Sequence, residues 1–106
     1  MNIKLWGFCI MSKCISKLNQ FLGHKVELCN KDHSITYQYS NFNYEVDCEN
    51  SLVLMDENEP DCKTYIALGE IIRILNLTND LKTTVVDIDY GDNRISICCS
   101  EAGEYI

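Results

Sequence analysis

The stretch TTVVDIDYGDNRISICC, residues 83–99, constrains the fold more than any other part of this chain. Apolar and polar residues alternate at a period of two on both sides of a Gly-Asp-Asn sequence, as in strands with one buried face. Glycine beside aspartate and asparagine favours a tight turn. We therefore predict a β-hairpin here. Its predicted core-facing residues are Val86, Ile88, Ile95 and Ile97.

The aspartates of this hairpin do not fit a calcium loop. An EF-hand requires a glycine at position six and a glutamate at position twelve. Counted from Asp87, the glycine comes one place early and the twelfth residue is Cys98. Cys98 and Cys99 are adjacent, so a strand points them to opposite faces, and the two thiols cannot easily bind the same metal ion. Arg94 is placed to pair with Asp89 across the turn, so part of this acidity is expected to be structural.

Alternating segments also occur earlier in the chain. Residues 24–29 and 35–39 each read as a half-buried strand. Apolar residues occupy odd-numbered positions in 35–39 but even-numbered positions in 42–48. Because a one-residue slip would turn every side chain to the wrong face, a turn is required near Ser40-Asn41 before a third strand at 42–48.

The third predicted strand carries a row of carboxylates. Glu45, Asp47 and Glu49 follow one another at every second position, so a strand would place them on one face, about 6.6 Å apart. Residues 51–56 form the fourth predicted strand. The acidic segment 57–62, which contains the one proline, is predicted to be an exposed loop.

Two segments have helical spacing. Residues 11–22 place apolar side chains on one helical face, with a serine and a glycine at the ends. Residues 64–77 also read as a helix, although two strands broken at Gly69 are the alternative. The apolar stripe of this predicted helix consists of Tyr65, Leu68, Ile71, Ile72 and Leu75. The resulting prediction is an α+β domain: an N-terminal helix, an antiparallel sheet, one further helix and a C-terminal β-hairpin, in the order αββββαββ. Residues 1–106 form one domain, with 1–10 as a loosely ordered extension.

Three segments together resemble Sm-like small barrels. These are KLNQFLGHKVEL, VDCENSLVLMD and IALGEIIRI, which match an N-terminal helix with a first strand, an Asp-containing strand and a closing hydrophobic-Gly-Ile motif. The matching positions are Asp47, Asn50, Gly69 and Ile72. The resemblance implies an alternative fold, an Sm-like or SH3-like small barrel with a C-terminal extension, and no binding residues are carried over from it.

Charge is unevenly distributed in this chain of 106 residues, whose net charge is −7. Residues 1–44 hold five basic against two acidic residues, whereas residues 45–106 hold four against fourteen. An acidic half repels nucleic acid and anionic lipid, so we expect neither direct nucleic-acid binding nor membrane binding. It favours encounter with a basic protein surface.

Other residue types argue against catalysis and metal binding. Seven cysteines are scattered among apolar positions without a C-x-x-C pair, which favours free thiols in a reducing cytoplasm over a disulfide framework. His24, Cys29 and His33 do not have the spacing of a zinc site. Neither histidine has a catalytic motif around it, and no glycine-rich phosphate loop is present. We expect no enzyme activity, no cofactor and no metal.

The acidic surface is the remaining functional candidate. We expect a small non-enzymatic inhibitor that blocks a basic nucleic-acid-handling protein such as a nuclease, acting in anti-defence or as an immunity protein. The Asn-, Ile- and Lys-rich composition is typical of AT-rich genomes and compatible with a phage or mobile-element product. The alternative is a small-barrel or homo-oligomeric scaffold. The predicted partner-binding residues are Glu45, Asp47, Glu49, Asp56, Glu57, Glu59, Asp61, Asp87 and Asp89.

Overall fold

In a computed structural model, the described residues, 14–78 and 84–99, form eight antiparallel strands in two sheets. The strands are β1 (Val26–Asn30), β2 (Thr36–Tyr39), β3 (Phe42–Val46), β4 (Ser51–Asp56), β5 (Glu59–Ala67), β6 (Ile71–Thr78), β7 (Thr84–Tyr90) and β8 (Asn93–Cys99). One sheet has five strands in the order β2-β1-β8-β7-β6, and the other has three in the order β3-β4-β5. Two short 3₁₀ helices, Ser16–Phe21 and Leu68–Glu70, accompany them.

The α+β prediction is wrong, because the described part of the chain is mainly strand and contains no long helix. The helix predicted at 11–22 is a six-residue 3₁₀ helix at Ser16–Phe21, which buries Leu18 and Phe21. The start of that predicted helix, residues 11–13, and the predicted extension at 1–10 lie outside the described residues.

The second predicted helix, at 64–77, is also wrong, and two irregularities explain the error. The segment is strand β5, the 3₁₀ turn Leu68–Glu70 and strand β6, so the alternative with a break at Gly69 is the observed one. The ladder between β6 and β7 shifts by one residue between Ile71 and Arg73. This bulge places buried residues Ile71 and Ile74 three apart, which imitates helical spacing.

The predicted turn at Ser40-Asn41 is confirmed, since β2 ends at Tyr39 and β3 begins at Phe42. Here the chain leaves the five-stranded sheet and enters the three-stranded sheet, which explains the change in apolar parity. The Leu68–Glu70 turn returns it to the five-stranded sheet. With the two sheets joined at both corners, the architecture is compatible with the predicted small-barrel alternative.

The core lies between the two sheets. The predicted C-terminal hairpin is confirmed as β7 and β8, and its four predicted core residues are buried. Phe21 packs edge-on against Phe42 with ring centroids 6.0 Å apart, which seats the first 3₁₀ helix on β3. The Tyr39 and Thr64 hydroxyl oxygens, 2.8 Å apart, link β2 to β5 across the two sheets. Full burial of a side chain such as Leu54 contributes about 1.5–3 kcal/mol.

Within the described ranges, none of the helices has the length and apolar character needed to cross a membrane.

Candidate acidic interaction surface

The charge asymmetry of the sequence is concentrated in the three-stranded sheet. Residues 42–67, here called the acidic sheet, comprise β3, β4, β5 and their turns, and hold seven carboxylates against one lysine, a net charge of −6. The rest of the described chain, residues 14–41, 68–78 and 84–99, holds five basic and six acidic residues, a net charge of −1. One sheet therefore has most of the negative field of the molecule.

Five of the nine predicted binding residues are exposed carboxylates of the acidic sheet. They are Glu45, Glu49, Glu57, Glu59 and Asp61. The side-chain amide of Asn43 donates a hydrogen bond to Glu57, which ties that residue to β3. The register between β4 and β5 shifts, since Met55 pairs with Lys63 but the next residue, Asp56, pairs with Glu59. Residues 60–62 are therefore unpaired and form a bulge on β5. Pro60 suits this position, since it has no N–H to donate to a ladder.

Asp47 has a structural role in the turn between β3 and β4. The strand predicted at 42–48 is observed as β3, but it ends at Val46, so the predicted regular carboxylate row along one strand is wrong. The Asp47 Oδ1 atom accepts the backbone N–H groups of Glu49 and Ser51 at 3.0 and 2.9 Å. Such a local bond competes with strand continuation. The turn that it closes contains Asn50 at φ 61°.

Asp56 is buried and binds the chain itself. Its carboxylate accepts backbone N–H groups from Ser40, Asn41 and Asn58 at 2.9, 3.1 and 3.0 Å. Burial by itself raises the pKa of Asp56, but the hydrogen bonds from these donors together lower the pKa by more than burial raises it. The pKa of Asp56 therefore lies below its ordinary value. The carboxylate joins the β2–β3 corner to the β4–β5 turn and is not presented to a partner.

Asp87 and Asp89 lie on the outward face of the five-stranded sheet, and both are buried by a polar network. The predicted pairing of Arg94 with Asp89 is confirmed, with Nε and Oδ1 2.6 Å apart. Arg73 Nε contacts the other Asp89 oxygen at 2.6 Å. Hydrogen bonds from Arg94 and then Arg73 hold the pKa of Asp89 below its ordinary value. Ser96 Oγ donates to Asp87 at 2.6 Å, so this pair of aspartates is structural and separate from the acidic sheet.

Tyr65 is a surface residue that the sequence analysis missed. The helical interpretation of residues 64–77 assigned it to an apolar stripe, but the side chain is 61 % exposed. Its partner in the ladder is Val53, which also pairs with Glu45. Thr64 and Ile66 on either side of Tyr65 face the core, in register with Leu54 and Leu52, so pairing with β4 and not the local sequence places Tyr65 on the outward face.

The described side chains contain no metal-binding group, and two of their surface clefts are small. In the described ranges, no three His, Cys, Asp or Glu side chains are grouped to hold a metal ion, and every buried side-chain polar atom has a partner. Two surface clefts have volumes of about 150 and 220 Å³. Both are smaller than the roughly 300–1,000 Å³ of typical ligand pockets.

Comparison with known proteins identifies no family. The chain matches no protein-family model, no curated protein and no solved structure. Of the positions that carry the Sm-like resemblance, Asp47 and Asn50 lie in the β3–β4 turn. Gly69 lies in the second 3₁₀ helix, and Ile72 lies at the bulge of β6.

Proposed function

We propose that this protein is a small non-enzymatic binding protein whose acidic sheet occupies the basic surface of a nucleic-acid-handling protein. The observation that carries the proposal is the net charge of −6 over residues 42–67, with five exposed carboxylates. A field of one sign on one side of a small domain steers it toward a surface of opposite charge and repels nucleic acid. The bound protein then excludes phosphate from that surface.

Four of the nine predicted binding residues have structural roles and are left out of the proposed contact. Asp47, Asp56, Asp87 and Asp89 hold turns or a buried network, so their carboxylates stabilise the fold. The exposed carboxylates on β3, on the β3–β4 turn and on β5 are free to lose their charge without loss of the core. An inhibitor of this kind suits an anti-defence or immunity role, in which masking a basic enzyme is sufficient.

Two matched triple variants test the proposal. The first, Glu45→Gln, Glu49→Gln and Asp61→Asn, neutralises three exposed carboxylates of the acidic sheet. The second, Glu27→Gln, Glu70→Gln and Asp92→Asn, makes the same three substitutions at exposed positions elsewhere. Wild type and both variants are used for affinity capture from host lysate. Each captured protein is then tested for duplex binding with and without wild-type protein.

The expected result is a basic nucleic-acid-binding protein that wild type and the second variant capture and the first variant does not. Wild-type protein is expected to prevent its duplex binding. Equal capture by all three proteins, or a captured partner whose nucleic-acid binding is unaffected, would contradict the proposal. Thermal unfolding of the three proteins within a few degrees excludes misfolding as the reason for lost capture.

A homo-oligomeric scaffold is the second candidate, and the edge of the five-stranded sheet favours it. Within the described ranges β6 pairs with β7 alone, and Ile72, Leu75 and Leu77 are exposed along it. An edge strand with apolar side chains is a template for pairing with another copy. Light scattering of wild type and of Leu75→Lys tests this. A wild-type oligomer that the variant dissociates supports it, and a wild-type monomer excludes it.

A further inference from the structure

The core-facing side of β2 is covered at one end only. In the ladder with β1, Tyr37 lies opposite the buried Leu28, so its side chain is on the core-facing side of the sheet. Tyr39, two residues later on the same side, is buried, and its hydroxyl oxygen lies 2.8 Å from that of Thr64 on β5. Tyr37, however, is 55 % exposed, and Ile35, two residues earlier, is 47 % exposed. Two apolar side chains that point toward the core are therefore open to solvent.

A groove of about 150 Å³ lies beside these two side chains, where β2 passes β5. Its lining is mainly apolar and includes Leu28, Ile35, Tyr37, Tyr90 and Ile95. Two polar side chains of the lining already have partners, since Thr64 contacts Tyr39 and the Asn30 amide donates to the Ser34 hydroxyl at 3.0 Å. An apolar cavity of about 150 Å³ accommodates one benzene ring. The groove therefore suits a single aromatic side chain.

The backbone of β2 has a free edge next to this groove. The Asn30 N–H donates to the Ile35 carbonyl at 3.2 Å, so Ile35 and, by alternation, Tyr37 direct their backbone groups toward β1. Thr36 and Gln38 consequently direct their N–H and C=O groups away from β1. Within the described ranges β2 pairs with β1 alone, and all three residues 36–38 are exposed. Such an edge is a template for an added strand.

We propose that an extended segment of a partner protein adds to the edge of β2 as an antiparallel strand and places one aromatic side chain in the groove. The residue of that segment opposite Tyr37 forms a non-hydrogen-bonded pair, in which side chains approach most closely. Its side chain lies on the same face as Tyr37, toward the groove, while its two neighbours bond Thr36 and Gln38. The edge and the groove therefore select the same residue of the segment.

A segment of this kind is favoured over a folded surface as the occupant. The uncovered patch consists of two apolar side chains and one groove, whereas a stable dimer interface buries about 800 Å² on each partner. The net charge of −7 disfavours a second copy and favours basic residues on either side of the aromatic anchor. The inference goes beyond the proposed function, because β2 belongs to the five-stranded sheet and not to the acidic sheet.

Fluorescence anisotropy with three labelled peptides tests the inference. KKTTFTTKK has an aromatic anchor in a basic, strand-forming segment, KKTTATTKK has alanine in its place, and the third peptide is KKTTFTTKK with N-methyl groups on the two threonines beside phenylalanine. Wild type is expected to bind the first about ten-fold more tightly than the second, since burial of the aromatic ring is lost in the second. It is expected to bind the third about ten-fold more weakly than the first, since N-methylation removes hydrogen bonds to β2.

Two variants of the protein separate the edge from the groove. Gln38→Pro removes an N–H that faces away from β1, which a proline on an edge strand allows, so thermal unfolding is expected within a few degrees of wild type. Tyr37→Ala removes one wall of the groove. Each variant is expected to bind KKTTFTTKK about five-fold more weakly or worse. Tyr65→Ala is the matched control, since Tyr65 is 61 % exposed but lies on the acidic sheet, and it is expected to bind like wild type.

Equal binding of the phenylalanine and alanine peptides by wild type, or no binding of either, overturns the inference. An equal loss of binding in Tyr65→Ala and Tyr37→Ala also overturns it, and so does a folded Gln38→Pro protein that binds KKTTFTTKK like wild type. The N-methylated peptide examines the same edge without a change to the protein, so unaltered binding of that peptide contradicts strand addition. A phenylalanine preference that persists in the Glu45, Glu49 and Asp61 triple variant supports the inference separately from the proposed function.

Discussion

Replacing Asp56 with asparagine perturbs a carboxylate that is 3 % exposed and holds two connections of the fold together. Its Oδ2 accepts the Ser40 N–H, and its Oδ1 accepts the N–H groups of Asn41 and Asn58. Asparagine has one carbonyl oxygen and one amide nitrogen at these positions. At least one backbone N–H therefore loses its acceptor and faces another donor.

The cost follows from these bonds. A hydrogen bond to a charged group contributes about 1.5–3 kcal/mol, and a buried donor left without a partner costs a similar amount. We expect Asp56→Asn to lower the free energy of unfolding by about 2–3 kcal/mol at pH 7. In a domain of this size that corresponds to a decrease in Tm of roughly 10–20 °C. Urea denaturation followed by circular dichroism measures the free energy directly.

Glu59→Gln is the control for the loss of charge, because Glu59 is exposed and pairs with Asp56 in the β4–β5 ladder. It is expected to change the unfolding free energy by less than about 0.5 kcal/mol. An Asp56→Asn protein as stable as wild type, or one no less stable than Glu59→Gln, refutes the structural role assigned to Asp56.

The pH dependence gives an independent check. Because the pKa of Asp56 is lower in the folded protein than in the unfolded chain, its contribution is present above about pH 4 and is lost as the pH falls through the folded pKa. The stability difference between wild type and Asp56→Asn is therefore expected to shrink below pH 4. A difference that stays constant from pH 7 to pH 2 contradicts this assignment.

Two further predictions concern the five-stranded sheet. Asp89→Asn removes the carboxylate that Arg73 and Arg94 share. In urea denaturation it is expected to lower the free energy of unfolding by about 1–2 kcal/mol at pH 7. The loss is expected to be smaller below pH 4, where the wild-type carboxylate becomes protonated. Gly91→Ala is expected to lower the free energy of unfolding by about 1 kcal/mol, because Gly91 has φ +53°, which disfavours a residue with a Cβ atom. An added Cβ atom would meet no neighbouring atom, so the effect comes from the backbone alone. The backbone of Gly69 lies outside the left-handed region, so Gly69→Ala is expected to be at least as stable as wild type in the same measurement. Equal losses of stability in Gly91→Ala and Gly69→Ala would contradict this explanation.

The candidate site was predicted in part from charge alone. Counting carboxylates indicates that the middle of the chain is strongly acidic, and the structure places that charge in one sheet. Counting does not separate exposed carboxylates from those that bind backbone donors. Asp47 and Asp56 are equivalent to Glu45 in a charge count, but their short side chains reach N–H groups of their own turns.

The sequence by itself determined the strands whose alternation is regular. The hairpin of β7 and β8, with its turn at Gly91, follows from local pattern and turn chemistry, and so does the change of face at Ser40. In these segments the buried positions and the strand period agree, so no information from the rest of the chain is required.

Only the tertiary structure decided the remainder. The segment 64–77 crosses from one sheet to the other through a 3₁₀ turn and then has a bulge at Ile72, which is 66 % exposed. Each irregularity shifts the phase of the apolar pattern and imitates a helix. Tyr65 reaches the surface for a related reason. Pairing with β4 decides which face of β5 is buried, and that pairing cannot be read from the local sequence.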